Sequence, residues 1–408
     1  MILLDAAATT PVRRAALEAA WPYLTGTFGN PSSVHEPGLA AARGLAAARE
    51  GVAAFLGCRP AEVVFTSGGT EGANLCVKGL ALGAVLESGR GRHVVTTRIE
   101  HEAVLESVAY LERVHGFAVS YVETDATGVV SPDALRAALR SDTALVTIGW
   151  ANNEVGTVQD VAVLASVAHE SGALFHTDAV QAVAALAVDV RALGVDALSF
   201  SGHKLGAPKG SGAVFVRAGA PLEPLLHGGG QERGRRSGTE NVAWAVALAS
   251  AAAELARDLG SSQMHASAGE SRPFATTGPG DERRSSQEHA FEHEFRDFVT
   301  TGLESIPGAR LTGHPTRRLP RHASFVIPGV NGETVLLELE RRGVIASAGS
   351  ACAAGRTEPS HVLLALGYTP DEATTALRFT WTADVTAEQL EQASVALIES
   401  VAAARGPE

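Results

Sequence analysis

Ser199-Phe-Ser-Gly-His-Lys204 is an apolar run that stops at a lysine, and Gly206-Ala-Pro-Lys-Gly-Ser-Gly212 follows it. Val195 to Phe200 reads as a buried strand, which puts Lys204 just past the C-terminal end, where an α/β sheet opens into its ligand crevice. Burial disfavours an ammonium and leaves a nucleophilic amine, whose chemical use is condensation with a carbonyl. Taken alone, the stretch is read more readily as a lysine snorkelling off a strand end. The surrounding chain decides between the two.

Working outward, Glu62 to Thr66 reads as a strand, and Ser67-Gly-Gly-Thr-Glu-Gly-Ala-Asn74 carries it into a helix. Strand, small-residue turn and helix together aim backbone N–H groups and a helix dipole at an anion, which is the layout of a phosphate cup. The Gly-Lys-Ser/Thr ending of a nucleotide P-loop is missing, and such a turn can also be only a tight connection. Strands at His93 to Thr97, Val119 to Val122, Ala144 to Trp150 and Leu174 to Thr177 continue a β/α alternation, predicting an α/β fold with a parallel sheet. Their ends carry His101, Asn152-Asn-Glu-Val-Gly156, Asp178 and Gln181. A carboxylate such as Asp178 at the end of an apolar strand is costly without a cationic or protonated-nitrogen partner.

The composition narrows the partners. With 33 Lys and Arg against 45 Asp and Glu, the formal charge of the 408-residue chain is −12, so neither nucleic acid nor an anionic membrane is expected to bind. The first residues lack the basic region of a signal peptide and no apolar run reaches membrane-spanning length, so a cytoplasmic protein is expected. Three scattered cysteines make neither a disulfide framework nor a zinc site. Cys58 and Cys76 lie among helical apolar residues, whereas Cys352 lies in the small-residue loop Ser347-Ala-Gly-Ser-Ala-Cys-Ala-Ala-Gly355, where a thiol points to function. His289-Ala-Phe-Glu-His293 has the spacing of an inverted zinc-protease motif but reads as a solvated helical face, so no metal is expected.

After the glycine- and arginine-rich loop Gly228 to Thr239 and a long helix from Val242 to Leu259, residues 261–286 turn to Ser, Gly, Pro and charge and read as a flexible surface insertion. Strands at Ala323 to Val326 and Gly343 to Ser347, with helices at Gly332 to Arg341 and Pro359 to Leu366, predict a second α/β unit, and Arg378 follows a strand at Ala373 to Leu377. An imine-forming lysine, a phosphate cup, a buried aspartate, a histidine and two amides are together the set that pyridoxal 5′-phosphate requires.

At these residues the chain resembles the cysteine desulfurases, enzymes of aminotransferase class V. The resemblance is carried by Ala8-Thr-Thr-Pro11, Gly29-Asn-Pro-Ser-Ser33, Phe65-Thr-Ser-Gly-Gly-Thr-Glu71, Glu100-His101, Asn152-Asn-Glu154, Asp178 with Gln181, Ser201-Gly-His-Lys204, the Gly228 to Thr239 loop and Gly349-Ser-Ala-Cys352. Ala6-Ala7 stands where the family has more polar residues.

The resemblance implies a pyridoxal-phosphate transferase fold of type I: a large domain at 12–258 with a mainly parallel seven-stranded sheet, and a small α/β domain from 1–11 and 259–408, with a cysteine loop near 347–358. It implies that Lys204 holds the cofactor and moves the α-proton, that Asp178 pairs with the ring nitrogen and that His101 stacks on the ring. Asn153 and Gln181 would reach the cofactor's phenolic oxygen or the substrate, while Gly69, Thr70, Ser201, Gly202 and His203 would form the phosphate site. Thr239 would complete that site in the partner of a homodimer, and Arg378 would clamp the substrate carboxylate. L-Cysteine would become L-alanine, with its sulfur passing to Cys352 as a persulfide and then to an acceptor protein, an iron-sulfur scaffold or a tRNA-thiolation enzyme. Cys352 could also serve as a transient iron-sulfur ligand. The alternatives are another class-V reaction, such as transamination or selenocysteine lysis, and a non-catalytic scaffold of the same fold.

Overall fold

The computed structural model describes residues 1–259, 297–302, 304–349 and 359–406. Cys352, the 261–286 segment, the helical pattern near Phe291 and the His289/His293 pair lie outside these residues.

The chain begins with strand β1 (Ile2–Leu3) and helices α1 (Arg14–Thr25) and α2 (Glu36–Leu56). The limits of α2 are written in the sequence: the His35 ring accepts from the Gly38 amide at its start, and Gly57, at φ +71°, ends it in the left-handed conformation that glycine adopts without steric cost. The large sheet then builds from β2 (Val63–Thr66), α3 (Gly69–Ser88), β3 (His93–Thr97), α4 (Glu102–His115), β4 (Ala118–Val122), α5 (Pro132–Ala138), β5 (Thr143–Thr147), α6 (Val161–Glu170), β6 (Leu174–Asp178), α7 (Val190–Leu193), β7 (Ala197–Ser201) and β8 (Gly212–Val216). Helix α8 (Val242–Asp258) packs along α1 and α2.

The seven strands lie in the order β2-β8-β7-β6-β5-β3-β4. All neighbours are parallel except β8, which runs antiparallel to both β2 and β7. The sheet is thus mainly parallel, as the resemblance implies, with β8 as its antiparallel strand. The physical reason is the Gly206–Gly212 turn, which is too short for a crossover helix and sends the chain straight back beside β7. Strands β3, β5, β7 and β8 are buried along their whole length, which explains their continuous apolar runs. Alternate residues serve opposite faces: Val64, Val94 and Val214 join the core under α3 and α4, while Val63, Val95 and Phe215 join the core under α2, α6 and α8.

Beyond α8, β9 (Arg310–Leu311), β10 (His322–Val326) and β12 (Ala376–Thr380) form an antiparallel sheet, and β11 (Val344–Ile345) pairs in parallel with β1. The helices Gly332–Arg341 and Ala387–Arg405 cover these strands. Ile2 and Leu4 share a core with Phe298, Phe325, Leu377, Phe379 and Leu397, so the start of the chain is packed into its C-terminal part. Arg378, expected just past a strand, sits in the middle of β12, because the run of apolar residues continues through Phe379 to Trp381 and only every second one faces the core.

Candidate active site

Strand β3 leads outward to β4, whereas β5 returns on the other side of β3 and leads on to β6 and β7. This reversal leaves a crevice at the carboxyl ends of β3 and β5, the place where open α/β sheets bind ligands. The cleft there is lined by Glu100, His101, Gly149, Asn152, Asn153, Asp178, Val180 and Gln181, among others.

His101 is the N-cap of α4, its Nδ1 accepting from the Ala103 amide at 3.0 Å, so the ring is held at the cleft with its orientation fixed. Asp178 ends β6, and its Oδ1 accepts from the Val180 amide at 2.9 Å. Burial raises the Asp178 carboxyl above its ordinary range, and the nearby His101 and Lys204 oppose that rise. A carboxylate so placed is suited to a protonated nitrogen as partner. Beneath it, His176 is wholly buried between the hydroxyls of Thr147 and Ser199, and burial pushes its pKa down to about 3, so it is a neutral brace across three strands.

The turn into α3 supplies the anion cup. Gly68, at φ +153°, adopts a backbone conformation open to glycine, and the first helical turn offers the amides of Gly69 and Thr70. A Cβ on Gly69 would meet Val180 Cγ2 at 2.7 Å and Ser201 Cβ at 3.4 Å, so the cup abuts both the cleft and the end of β7. Gly202 does not offer its amide to this cup: its N–H donates to the Ser211 carbonyl at 2.9 Å, and a Cβ there would collide with Ser211 Oγ. Its place is one of close packing. His203 bonds the Thr9 hydroxyl at 3.1 Å, and burial, aided by Lys204 and Lys209, pushes its pKa down to about 4, so it is a neutral donor or acceptor.

Lys204 Nζ donates to the carbonyl oxygens of Ala7 and Ala8, the latter at 2.7 Å. Gln181 Nε2 donates to the same Ala7 oxygen at 3.1 Å, and Thr10 bonds the His203 carbonyl through both its amide and its hydroxyl. Asp5, at the start of this strap, accepts from Arg378 Nη2 at 2.8 Å. Arg378 is almost wholly buried and, among the described residues, is not part of the cleft lining; Nη1 donates to the Asn153 carbonyl at 3.2 Å, and Nε has no partner among the described residues. The strap of residues 5–10 thus touches four of the sequence-predicted residues. The sequence marks part of it, Ala8-Thr-Thr-Pro11, as a family motif but gives Asp5 to Ala7 no role; the signal there is an acid followed by small residues, which let the backbone approach closely.

Glu100 is a second residue whose role the sequence leaves unassigned. Its carboxyl is buried behind His101, accepting from the Thr97 hydroxyl at 2.7 Å and from the Gly149 amide at 2.8 Å. Burial pushes its pKa up to about 7 despite these bonds. A third is Glu232, which receives a bidentate contact from Arg49 at 2.6 and 2.7 Å inside the protein. This pair, with Arg236 bonded to Glu71 of α3 at 2.7 Å, fastens the loop on which Thr239 stands exposed.

His101, Asn153, Asp178 and Gln181 therefore share one cleft, with Gly69, Thr70, Ser201, His203 and Lys204 around its edge and Arg378 behind Asn153. The donor set fits pyridoxal 5′-phosphate: an amine for its aldehyde, a cup of amides and hydroxyls for its phosphate, and a carboxyl for its ring nitrogen.

The family model for aminotransferase class V matches residues 2–277 and 282–393. The cysteine desulfurase IscS of Methanosarcina thermophila is 42% identical over 366 residues, covering 90% of this chain and 83% of that protein. Among solved structures, a NifS-like protein superposes with a TM-score of 0.84 at 33% identity, covering 98% of this chain and 99% of that one. SspA, solved in complex with cysteine, superposes with a TM-score of 0.74 at 34% identity, covering 93% and 98%.

Proposed function

From the premise that the chain belongs to the aminotransferase class-V family and is a cysteine desulfurase with the type I pyridoxal-phosphate fold, we propose that the cleft above β3, β5 and β6 binds pyridoxal 5′-phosphate and L-cysteine. Asp178 faces the ring nitrogen, His101 lies against the ring, and Asn153 and Gln181 bond the phenolic oxygen or the substrate. Gly69, Thr70, Ser201 and His203 hold the phosphate. The bound cofactor supplies an electron sink for the pair released when the substrate's α-C–H bond breaks.

Lys204 takes that proton and later returns one to the product. Arg378 and Asn153 orient the substrate carboxylate, which sets the α-C–H bond toward the lysine. The Cys352 thiolate attacks the substrate sulfur: the C–S bond breaks, an S–S bond forms, and the carbon fragment leaves as L-alanine after protonation. Cysteine plus thiol gives alanine plus persulfide, so no outside oxidant is needed. Sulfur then passes to an acceptor protein for iron-sulfur assembly or thiolation.

The reading includes a homodimer in which Thr239 completes the partner's phosphate site, a large domain at 12–258 with the remainder as the small domain, and a cytoplasmic location. No helix among the described residues is long and apolar enough to cross a membrane. The observation that carries the reading is the convergence of Asp178, His101, Asn153 and Gln181 on one cleft, with Lys204 joined to Gln181 through the shared Ala7 oxygen. The test is to supply L-cysteine and a reductant and to quantify alanine and sulfide together. Equal release is expected; a keto acid, or no product, would overturn the reading, as would protein-bound persulfide persisting in Cys352→Ala.

A further inference from the structure

Arg378 is rigid from both sides. Its backbone exchanges two hydrogen bonds with Ser347, at 2.7 and 3.1 Å. Asp5 is fixed just as firmly, because the strap is laced to the neighbouring Thr380: the Ala6 amide donates to the Thr380 carbonyl, the Ala7 amide to its hydroxyl, and the Thr380 amide to the Leu4 carbonyl, all within 3.0 Å. Among the described residues Asp5 is the carboxylate paired with Arg378, at 2.8 Å. Glu154, the other carboxyl whose charge feels Arg378, is engaged by the Ser360 hydroxyl. Among the described residues one guanidinium donor, Nε, is buried with no acceptor, which is unusual for a charged group and marks a bond that a ligand can complete.

We propose that Asp5 is a specificity-determining residue: a resident anion that shares Arg378 with the substrate carboxylate, weakening the hold on monocarboxylates and excluding dicarboxylates. The inference rests on the reading of Arg378 as the carboxylate clamp. A carboxylate arriving at Arg378 meets a guanidinium already half neutralised and a like charge that cannot move away, since Asp5 is tied to β12. In a low-dielectric pocket that repulsion falls on every incoming anion and falls harder on one carrying two charges. The outcome is a site that holds one carboxylate loosely enough to release alanine.

The experiment measures dissociation constants on the holoenzyme by ligand-observed NMR, using propionate, which is alanine without its amine, and succinate as the dicarboxylate. Asp5→Asn keeps the shape and removes the charge. It is expected to tighten propionate about tenfold and succinate by a larger factor. Asp5→Glu, which restores the charge, is expected to bind propionate no more tightly than the natural protein does. Unchanged or weaker propionate binding in Asp5→Asn would overturn the proposal, and so would equal tightening in Asp5→Glu, which would trace the effect to a loosened strap. Arg378→Gln is expected to abolish propionate binding with either residue at position 5. Persistence of binding there would remove the clamp itself, a failure distinct from that of Asp5.

Discussion

The Lys204 amine rests on the Ala8 carbonyl at 2.7 Å and also bonds that of Ala7, so the side chain is held by backbone that no side-chain substitution removes. Two successive carbonyl oxygens accept from the one amine. They give the lysine a defined position whenever it is not joined to another group.

The chain has three lysines, Lys78, Lys204 and Lys209, and this makes the first prediction sharp. Lys78 of α3 is tied to Asn74 and lies over the Tyr110 ring of α4, and Lys209 is exposed. Borohydride reduction of the holoenzyme followed by peptide mass spectrometry is expected to fix the cofactor on the Lys204 peptide. Lys204→Met should lose both this adduct and turnover, by about 10³-fold or more. An adduct on Lys78 or Lys209 would sink the assignment.

Glu100 gives the second prediction, through pH. Folding raises its pKa from 4.5 to about 7, so the folded chain holds more protons than the unfolded chain between these values. Stability must therefore fall as pH rises through that window, by about 3 kcal/mol at the limit, and stay level above it. Asp178 and Glu154 are shifted the same way by burial, so the readout is the difference between proteins. Glu100→Gln is expected to flatten the slope of urea-unfolding free energy between pH 4.5 and 7. An unchanged slope would show that Glu100 does not titrate there.

Thiol reactivity separates the cysteines. Burial pushes the Cys58 thiol up to about 12, and Cys76, wholly enclosed beneath Asp178, is raised as well. Both are thus protonated and slow at neutral pH. Iodoacetamide at pH 7.5 should alkylate Cys352 well before either, and brief treatment with L-cysteine should add one sulfur to the Cys352 peptide. Comparable labelling of Cys58 or Cys76 would contradict this.

The Arg49–Glu232 pair is expected to behave as a buried ion pair does. Removing one partner, as in Glu232→Ala, leaves a charge uncompensated and should cost about 3–5 kcal/mol in denaturant unfolding. The double variant Arg49→Met with Glu232→Leu should recover much of that loss. A single variant within about 0.5 kcal/mol of the natural protein would mean that solvent reaches the pair.

Elements with a strong period were legible from the sequence. Strand β3 and helix Gly332–Arg341 fall where the pattern puts them, and the glycine after α2 marks its end. The short helix α5 was not legible, because seven residues carry too little periodicity to stand out from a loop. The lysine, the aspartate and the histidine could be read because each is an unusual residue at the end of an apolar strand. The parts of the site that could not be read work through backbone or through distance. Ala7 and Ala8 contribute carbonyls, which every residue has, and Asp5 meets Arg378 across 373 positions of sequence. Glu232 looked like one charge in a polar loop, since nothing local announces that Arg49 reaches it from 183 residues away.

That 373-residue span also orders events during synthesis. The strap that carries Asp5 leaves the ribosome 373 residues ahead of Arg378 and of Thr380, its partners in β12. The seven-stranded sheet can assemble while translation continues, but Lys204 has no finished strap over it until β12 is made. A nascent chain halted between β8 and β12 would carry every residue of the cleft and still lack a working one.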